Sequence, residues 1–300
     1  MTSPSTPHTA LPGISVILPV LNEEEHLEES VSAILAQDYA GEFEIILALG
    51  PSKDLTNQIA ARLSDENPKI ILVTNPTGQT AAGLNLALHR STREIVVRVD
   101  AHAEIPQNYL HLAVEILADS GAVNVGGVMG AEGVTLFESA VAAAMRSPFG
   151  VGGSRFHTGG KAGYVDTVYL GAFWRQAVVD AGGFDERFIR AQDWELNYRL
   201  RENGGKIYFD PRLHVTYRPR PNLRRLAKQY FEYGRWRRVI ARKYPETINY
   251  RYLAPPLALI GTALSLIAGA LFDTSLYLPA ATYITFIAIT PLFISKNLAH

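Results

Sequence analysis

The 300-residue chain contains no cysteine. That absence excludes disulfide scaffolds, Cys-ligated zinc sites, iron–sulfur clusters and thiol nucleophiles together. Net charge is also scarce, formally −1, and by itself points to no charged partner. Disorder is excluded for most of the chain, because 47% of its side chains are hydrophobic. The length allows one or two domains with a packed core.

The near-zero charge is a cancellation. Residues 212–251 carry 12 Lys and Arg against two Glu, a balance of +10. Residues 1–211 stand at −11, and residues 252–300 hold only Asp273 and Lys296. Within that last segment, residues 253–272 and 276–294 are uncharged runs of 20 and 19 residues. A helix of about 20 residues spans about 30 Å, the hydrocarbon thickness of a bilayer. Pro255, Pro256, Pro279 and Pro291 are tolerated in such helices more readily than in water. These runs are expected to form a transmembrane hairpin closed by Asp273-Thr274-Ser275; the plain alternative is a buried hairpin of a soluble core. The basic stretch just before the first run places that side in the cytoplasm. The first 13 residues, rich in Pro, Ser and Thr, lack the charged and apolar regions of a signal peptide and are expected to form a disordered tail.

Apolar runs alternate with amphipathic ones in the first half. Strands are expected at Ile14–Val20, Phe43–Leu49, residues 69–74 and residues 94–99, with helices after Asn22-Glu-Glu-Glu25 and over residues 54–63 and 80–89. That alternation predicts an α/β domain with a parallel sheet and right-handed crossovers. Ligands of such sheets bind beyond the strands' carboxyl ends, here residues 19–23, 50–54, 75–79 and 100–104. No GxGxxG follows the first strand, and no GxxxxGK[ST] occurs, which disfavours dinucleotide and P-loop sites.

Two carboxylates stand out. Asp100 and His102 follow the fourth strand, and an Asp and a His two residues apart can approach one divalent cation; a capping Asp beside a surface His is the plain alternative. Asp193 opens a helix that continues through Leu196, Asn197 and Leu200 and stops at Asn203-Gly-Gly205. It is either a general base on a rigid helix or simply a carboxylate favoured by the helix dipole. Between residues 223 and 242, Arg and Lys interleave with Leu226, Tyr230, Phe231, Tyr233 and Trp236, as in an interfacial helix on anionic lipid. Positive-inside topology alone would also account for this charge.

Five motifs occur in order: Ser15-Val-Ile-Leu-Pro-Val-Leu-Asn-Glu23, Glu44-Ile-Ile46, Arg98-Val-Asp-Ala-His102, Gly182-Gly-Phe-Asp185 and Gln192-Asp-Trp-Glu-Leu196. Over about residues 14–243 the chain resembles glycosyltransferase family 2, most closely its succinoglycan-biosynthesis type. The resemblance implies a GT-A type nucleotide-sugar-binding domain with a mainly parallel sheet, followed by an interfacial basic helix and two C-terminal transmembrane helices. It divides the chain into a tail (1–13), a catalytic domain (14–211), a basic interfacial segment (212–251) and a transmembrane hairpin (252–300). It implies metal-dependent, inverting hexosyl transfer from a nucleotide sugar, expected to be a UDP-sugar, with Mg²⁺ or Mn²⁺. Pro19, Asn22, Glu23, Asp54 and Gly78 would line the donor pocket, Asp100 and His102 would hold the metal, and Asp193 would be the catalytic base.

Arg155, in the glycine-rich stretch 150–160, and Gln229, Arg235 and Trp236, which resemble a Gln-x-x-Arg-Trp element at wider spacing, are acceptor-binding candidates. Where the family usually reads Asp-Asp-Gly-Ser-x-Asp after its second strand, this chain has Leu49-Gly-Pro-Ser-Lys-Asp54. Gln192 and His102 likewise stand where the family has acids. The expected partners are a lipid-linked sugar acceptor, the membrane and polysaccharide-assembly proteins, with no nucleic acid. The expected location is the cell membrane, multi-pass, with a cytoplasmic catalytic domain. A polyprenyl-phosphate sugar synthase and a non-catalytic nucleotide-sugar-binding subunit are the competing readings.

Overall fold

Apolar and β-branched residues form the first four strands, in a computed structural model that describes residues 11–151, 153–248 and 250–297. In chain order the elements are β1 (Ile14–Val20), α1 (Leu27–Leu35), β2 (Phe43–Leu49), α2 (Thr56–Glu66), β3 (Ile70–Thr74), α3 (Thr80–Arg90), β4 (Ile95–Arg98), α4 (Tyr109–Ser120), β5 (Asn124–Ala131) and α5 (Leu136–Met145). Two single turns, α6 (Pro148–Val151) and α7 (Arg155–Thr158), precede β6 (Gly163–Val165), β7 (Tyr169–Trp174), α8 (Arg175–Asp180), α9 (Gln192–Glu202) and β8 (Ile207–Tyr217). Three long helices close the described chain: α10 (Leu223–Lys243), α11 (Tyr250–Leu271) and α12 (Leu278–Asn297).

The described residues fall into two compact units, one running to Gly130 and resuming over Gly159–Arg218, the other comprising Ala131–Thr158 and the residues from Pro219 on. The first is an eight-stranded sheet ordered β3-β2-β1-β4-β7-β5-β8-β6. β1, β2, β3 and β4 pair in parallel, with Ile17 opposite Ile46 on one side and Arg98 on the other. β7 runs antiparallel to β4 and β5, and β6 runs antiparallel to β8. Helix α1 turns Leu27, Val31 and Ile34 inward at helical spacing, all three fully buried. The expected tail over residues 1–13 lies outside the described residues up to residue 10. Gly13 is held by a 2.7 Å hydrogen bond from its amide to Glu94.

In the second unit, α10 is capped by the Asn222 side chain, which accepts from the Arg225 amide. Helices α11 and α12 form the expected hairpin. Asp273 Oδ1 accepts from the Ser275 amide at 2.7 Å, and Ser265 Oγ accepts from the Ala280 amide at 3.1 Å. The two expected spans are not equally supported. Among the described residues only Leu253–Leu271 is a helix long and apolar enough to cross a membrane, with mean hydropathy 1.8. In α12 the hydroxyls of Thr282 and Thr290 turn back onto the Leu278 and Phe286 carbonyls. Proline does not break the first of these helices: Pro255 and Pro256 lie inside α11.

Candidate active site

The loops after β1, β2 and β3 meet at one edge of the parallel half-sheet. The Gly50 amide donates to Val20 O at 2.8 Å and the Asn75 amide to Leu49 O at 2.8 Å, which carries the pairing past the strand ends. Asn22 and Asp54 knit these loops with their side chains. Asn22 Oδ1 accepts from the Lys53 amide at 2.8 Å, and Asp54 Oδ1 accepts from the Thr56 amide at 3.1 Å and hydroxyl at 2.5 Å. The Thr56 and Glu24 bonds hold the Asp54 carboxyl below its ordinary range. Gly78 has φ +63°, and a Cβ there would sit 3.1 Å from Pro51. A Cβ on Gly50 would come within 3.2 Å of Gly78 Cα. Glycine therefore sets how closely these loops pass. Pro19 packs beneath them, near the helical Gly83 of α3.

The loop after β4 is tied on both sides. The Val99 amide donates to Ile17 O at 3.1 Å, Ala103 O accepts from Ser30 Oγ at 3.1 Å, and Glu104 bridges Thr216 of β8. Val99, Ala101 and Ala103 are buried. The alternation leaves Asp100 and His102 as the loop's polar side chains at the more open positions. His102 Nδ1 lies 3.0 Å from Glu23 Oε1. With Nδ1–H donating to that carboxylate, Nε2 carries the lone pair, the arrangement common for ligating histidines.

Asp193 arrives on the first turn of α9, behind Ala191 at φ +62°. The helix is anchored to the turn before it. Glu195, fully buried, accepts three hydrogen bonds of 2.7–3.0 Å from Arg199. Arg199 also donates to the carbonyls of Ala181 and Gly183. Gly183, at φ +73°, brings its Cα so close to Asn85 that a Cβ would meet the amide oxygen at 2.6 Å. Asn85 in turn clamps both backbone groups of Phe184 at 2.8 Å.

Arg98, the last residue of β4, joins the two halves. Its side chain is 5% exposed, against 19% for Asp100 and 24% for Asp193. Nη2 donates to Asp100 Oδ1 at 2.9 Å, Nε reaches the same oxygen at 3.3 Å, and Nη1 donates to Asp193 Oδ1. Burial opposes charge on Asp100, but Arg98 outweighs it and, with His102 and Arg190, holds this carboxyl below the ordinary range. Asp193 moves the other way. Burial raises its pKa, Asp100 adds to the rise, and Arg98 only partly offsets them. Tyr169, on β7, lies within the same field; burial and then Asp100 push its phenol well above 10.

The structure thus joins Asp100 to Asp193 through Arg98, joins His102 to Glu23, and gathers Pro19, Asn22, Asp54 and Gly78 at the neighbouring loops. Arg155, Gln229, Arg235 and Trp236 belong to the second unit. There Arg155 opens α7, Gln229 donates to the Tyr233 hydroxyl at 2.7 Å, Arg235 pairs with Glu232 at 2.9 Å, and Trp236 lies on α10. Arg98 and Tyr169 had no role in the sequence reading. A charged residue ending the buried run Ile95-Val-Val97 is the signal for Arg98, since a buried guanidinium requires an acidic partner.

Among the described residues no three His, Asp or Glu side chains gather into a metal cage. Asp100 and His102 nevertheless fit a hard divalent ion that takes its remaining ligands from substrate phosphates and water. Both are donors of the right chemistry, and Arg98 engages only Oδ1 of Asp100.

The profile of glycosyl transferase family 2 matches residues 15–173, more than half of the chain. The chain belongs to glycosyltransferase family 2. A family relative, the succinoglycan biosynthesis protein ExoA of Rhizobium meliloti, is 31% identical over 80% of this chain and 73% of its own length. A second, from Methanococcus voltae, is named as a dolichyl N-acetylglucosaminyl phosphate diacetamido-dideoxy-glucuronosyltransferase and is 25% identical over 77% of this chain and 74% of its own. Among solved structures, mannosyltransferase PcManGT of Pyrobaculum calidifontis, in complex with GDP-Man and Mn²⁺, superposes with TM-score 0.63. It is 22% identical over 97% of this chain and 79% of that one. S. aureus TarS in complex with UDP-GlcNAc gives TM-score 0.55 at 19% identity, over 70% of this chain and 60% of that one. These likenesses show the α/β, GT-A-like fold, and family membership makes the chain a glycosyltransferase.

Proposed function

We propose that this glycosyltransferase is membrane-anchored and inverting, and moves a hexose from a nucleotide sugar to a lipid-linked or polysaccharide-precursor acceptor. The observation that carries the reading is the meeting of Asp100 and Asp193, 93 residues apart, on one buried guanidinium. Asp193 is the base that takes the acceptor hydroxyl's proton as the oxygen attacks the anomeric carbon. Its raised pKa makes it a stronger base than a solvated aspartate. The nucleoside diphosphate leaves from the opposite face, so one displacement inverts the centre. Asp100 and His102 would hold Mg²⁺ or Mn²⁺, whose Lewis acidity neutralises charge on the leaving diphosphate. Glu23 orients His102, while Asn22, Asp54 and Gly78 shape the donor-side loops. Pro19 lines them.

In the same reading residues 14–211 carry the catalysis, residues 212–251 lie along the membrane surface, and residues 252–300 anchor the chain with the catalytic part in the cytoplasm. Support comes from the basic, aromatic residues of α10 and from the exposed apolar side chains of α11 and α12, such as Leu259 and Ile284. Arg155, Gln229, Arg235 and Trp236 are assigned to the acceptor. The relatives named for succinoglycan biosynthesis and for a dolichyl-phosphate-linked sugar favour this acceptor class.

Asp193→Asn tests the base: transfer should fall by about 10²–10⁴-fold with donor binding intact. Near-normal turnover in a folded variant would remove Asp193 from the role. Product analysis with polyprenyl phosphate beside a glycosylated polyprenyl diphosphate separates the acceptor classes, and transfer to the bare phosphate alone would reject the reading.

A further inference from the structure

The cation between the two reactive carboxylates comes from the protein. Arg98 ends a strand whose three preceding residues are buried, its backbone is registered against Ile17, and its guanidinium is the least exposed member of the triad. A guanidinium stays charged at any physiological pH, and its planar fork can serve two carboxylates at once. It contacts Asp100 through Nε and Nη2 and Asp193 through Nη1. Toward an incoming cation, then, Arg98 offsets one of the two carboxylates it bridges, and His102 and Arg190 add positive potential at Asp100. Sites that bind free Mg²⁺ or Mn²⁺ depend on uncompensated carboxylate charge.

We propose that Arg98 is a built-in counter-cation, a positioning residue that holds the Asp193 carboxylate in place and keeps free divalent ions off Asp100 until a nucleotide diphosphate supplies the missing negative charge. The ion is accordingly taken up with the donor. This rests on Asp100 and His102 being the ion-holding residues, as proposed above.

The test is Mn²⁺ binding to the full chain in detergent, followed by electron paramagnetic resonance, for the ion alone and with UDP or GDP. Wild type should bind Mn²⁺ with nucleotide at least about tenfold more tightly than alone. Arg98→Gln, which keeps hydrogen bonding and removes the charge, should gain roughly tenfold or more in affinity for free Mn²⁺, while Arg98→Lys should not. In transfer assays Arg98→Lys should lower kcat with little change in donor KM, because one ammonium cannot bridge both carboxylates. Equal Mn²⁺ affinity with and without nucleotide in wild type overturns the proposal with no variant needed. So does a folded Arg98→Gln protein without the gain. If wild type binds no Mn²⁺ at all, either alone or with nucleotide, the ion-holding assignment of Asp100 and His102 fails instead, and Arg98 stands or falls on the Arg98→Gln result.

Discussion

Replacing Arg199 by methionine removes the cation paired with a fully buried carboxylate. Glu195 is 0% exposed and takes three side-chain hydrogen bonds from that guanidinium. Removing one partner of a buried pair costs about 3–5 kcal/mol. The carbonyls of Ala181 and Gly183 lose a charged donor as well, adding about 1–2 kcal/mol. Removing both partners is different: in Glu195→Leu/Arg199→Met no charge is stranded, and only the carbonyl loss remains. The double variant should therefore be more stable than Arg199→Met by about 2–4 kcal/mol, a coupling that a double-mutant cycle isolates. Denaturant unfolding of the full chain, followed by tryptophan fluorescence, measures it, and Trp194 adjoins Glu195 as a local probe. Because the clamp fixes α9 against the turn before it, Arg199→Met should also lower kcat more than it raises donor KM. A double variant no more stable than Arg199→Met would refute the reasoning.

Two further predictions concern pH. The base form of Asp193 is the ionised one and its pKa is raised, so activity should fall on acidification at a higher pH than the ~3.9 of a solvated aspartate. An acid limb at or below that value in a pH–rate profile would contradict the assignment. Glu44 behaves oppositely: burial opposes its charge, but Ser15 and Thr92 outweigh it with bonds of 2.6, 2.9 and 3.0 Å, and its pKa is lowered. A depressed folded pKa stabilises above the unfolded value of ~4.3, and that stabilisation disappears as pH falls through the folded value. Glu44→Gln should therefore lower thermal stability at pH 7, with the gap closing below about pH 4; a gap that does not change between pH 7 and 3 would count against it.

The parallel half of the sheet was legible because its strands are continuous apolar runs, and β1 and β2 fall at the residues expected. The other half was not. Strand β5 reads Asn-Val-Gly-Gly-Val-Met-Gly-Ala, and three glycines erase the usual strand signature. Those glycines are packing features: a Cβ on Gly127 would lie 1.6 Å from Leu213 O, so the strand is recognisable only once its neighbour is known. Asp100, His102 and Asp193 were singled out as candidates by motif order. The contacts between Arg98 and Asp193, or Glu23 and His102, join residues 95 and 79 positions apart and have no local signature.

The charge distribution bears on how such a site accepts its donor. Residues 1–211 carry −11, yet the proposed donor is a diphosphate, and a uniform acidic field would repel it. At physiological salt, charges more than about 8 Å from the site are largely screened, so the local balance decides. Locally the negative charge of Asp100, Asp193 and Glu23 is reduced: Arg98 offsets one of the two carboxylates it bridges, Arg190 acts on Asp100, and His102 lies beside Glu23. Each of these lowers the negative potential at the strand ends without removing the base. A second carboxylate in place of His102 would strengthen attraction for a free ion but weaken that for the anionic donor. The imidazole is therefore better understood as part of the same electrostatic arrangement as Arg98 than as an isolated departure from the family pattern.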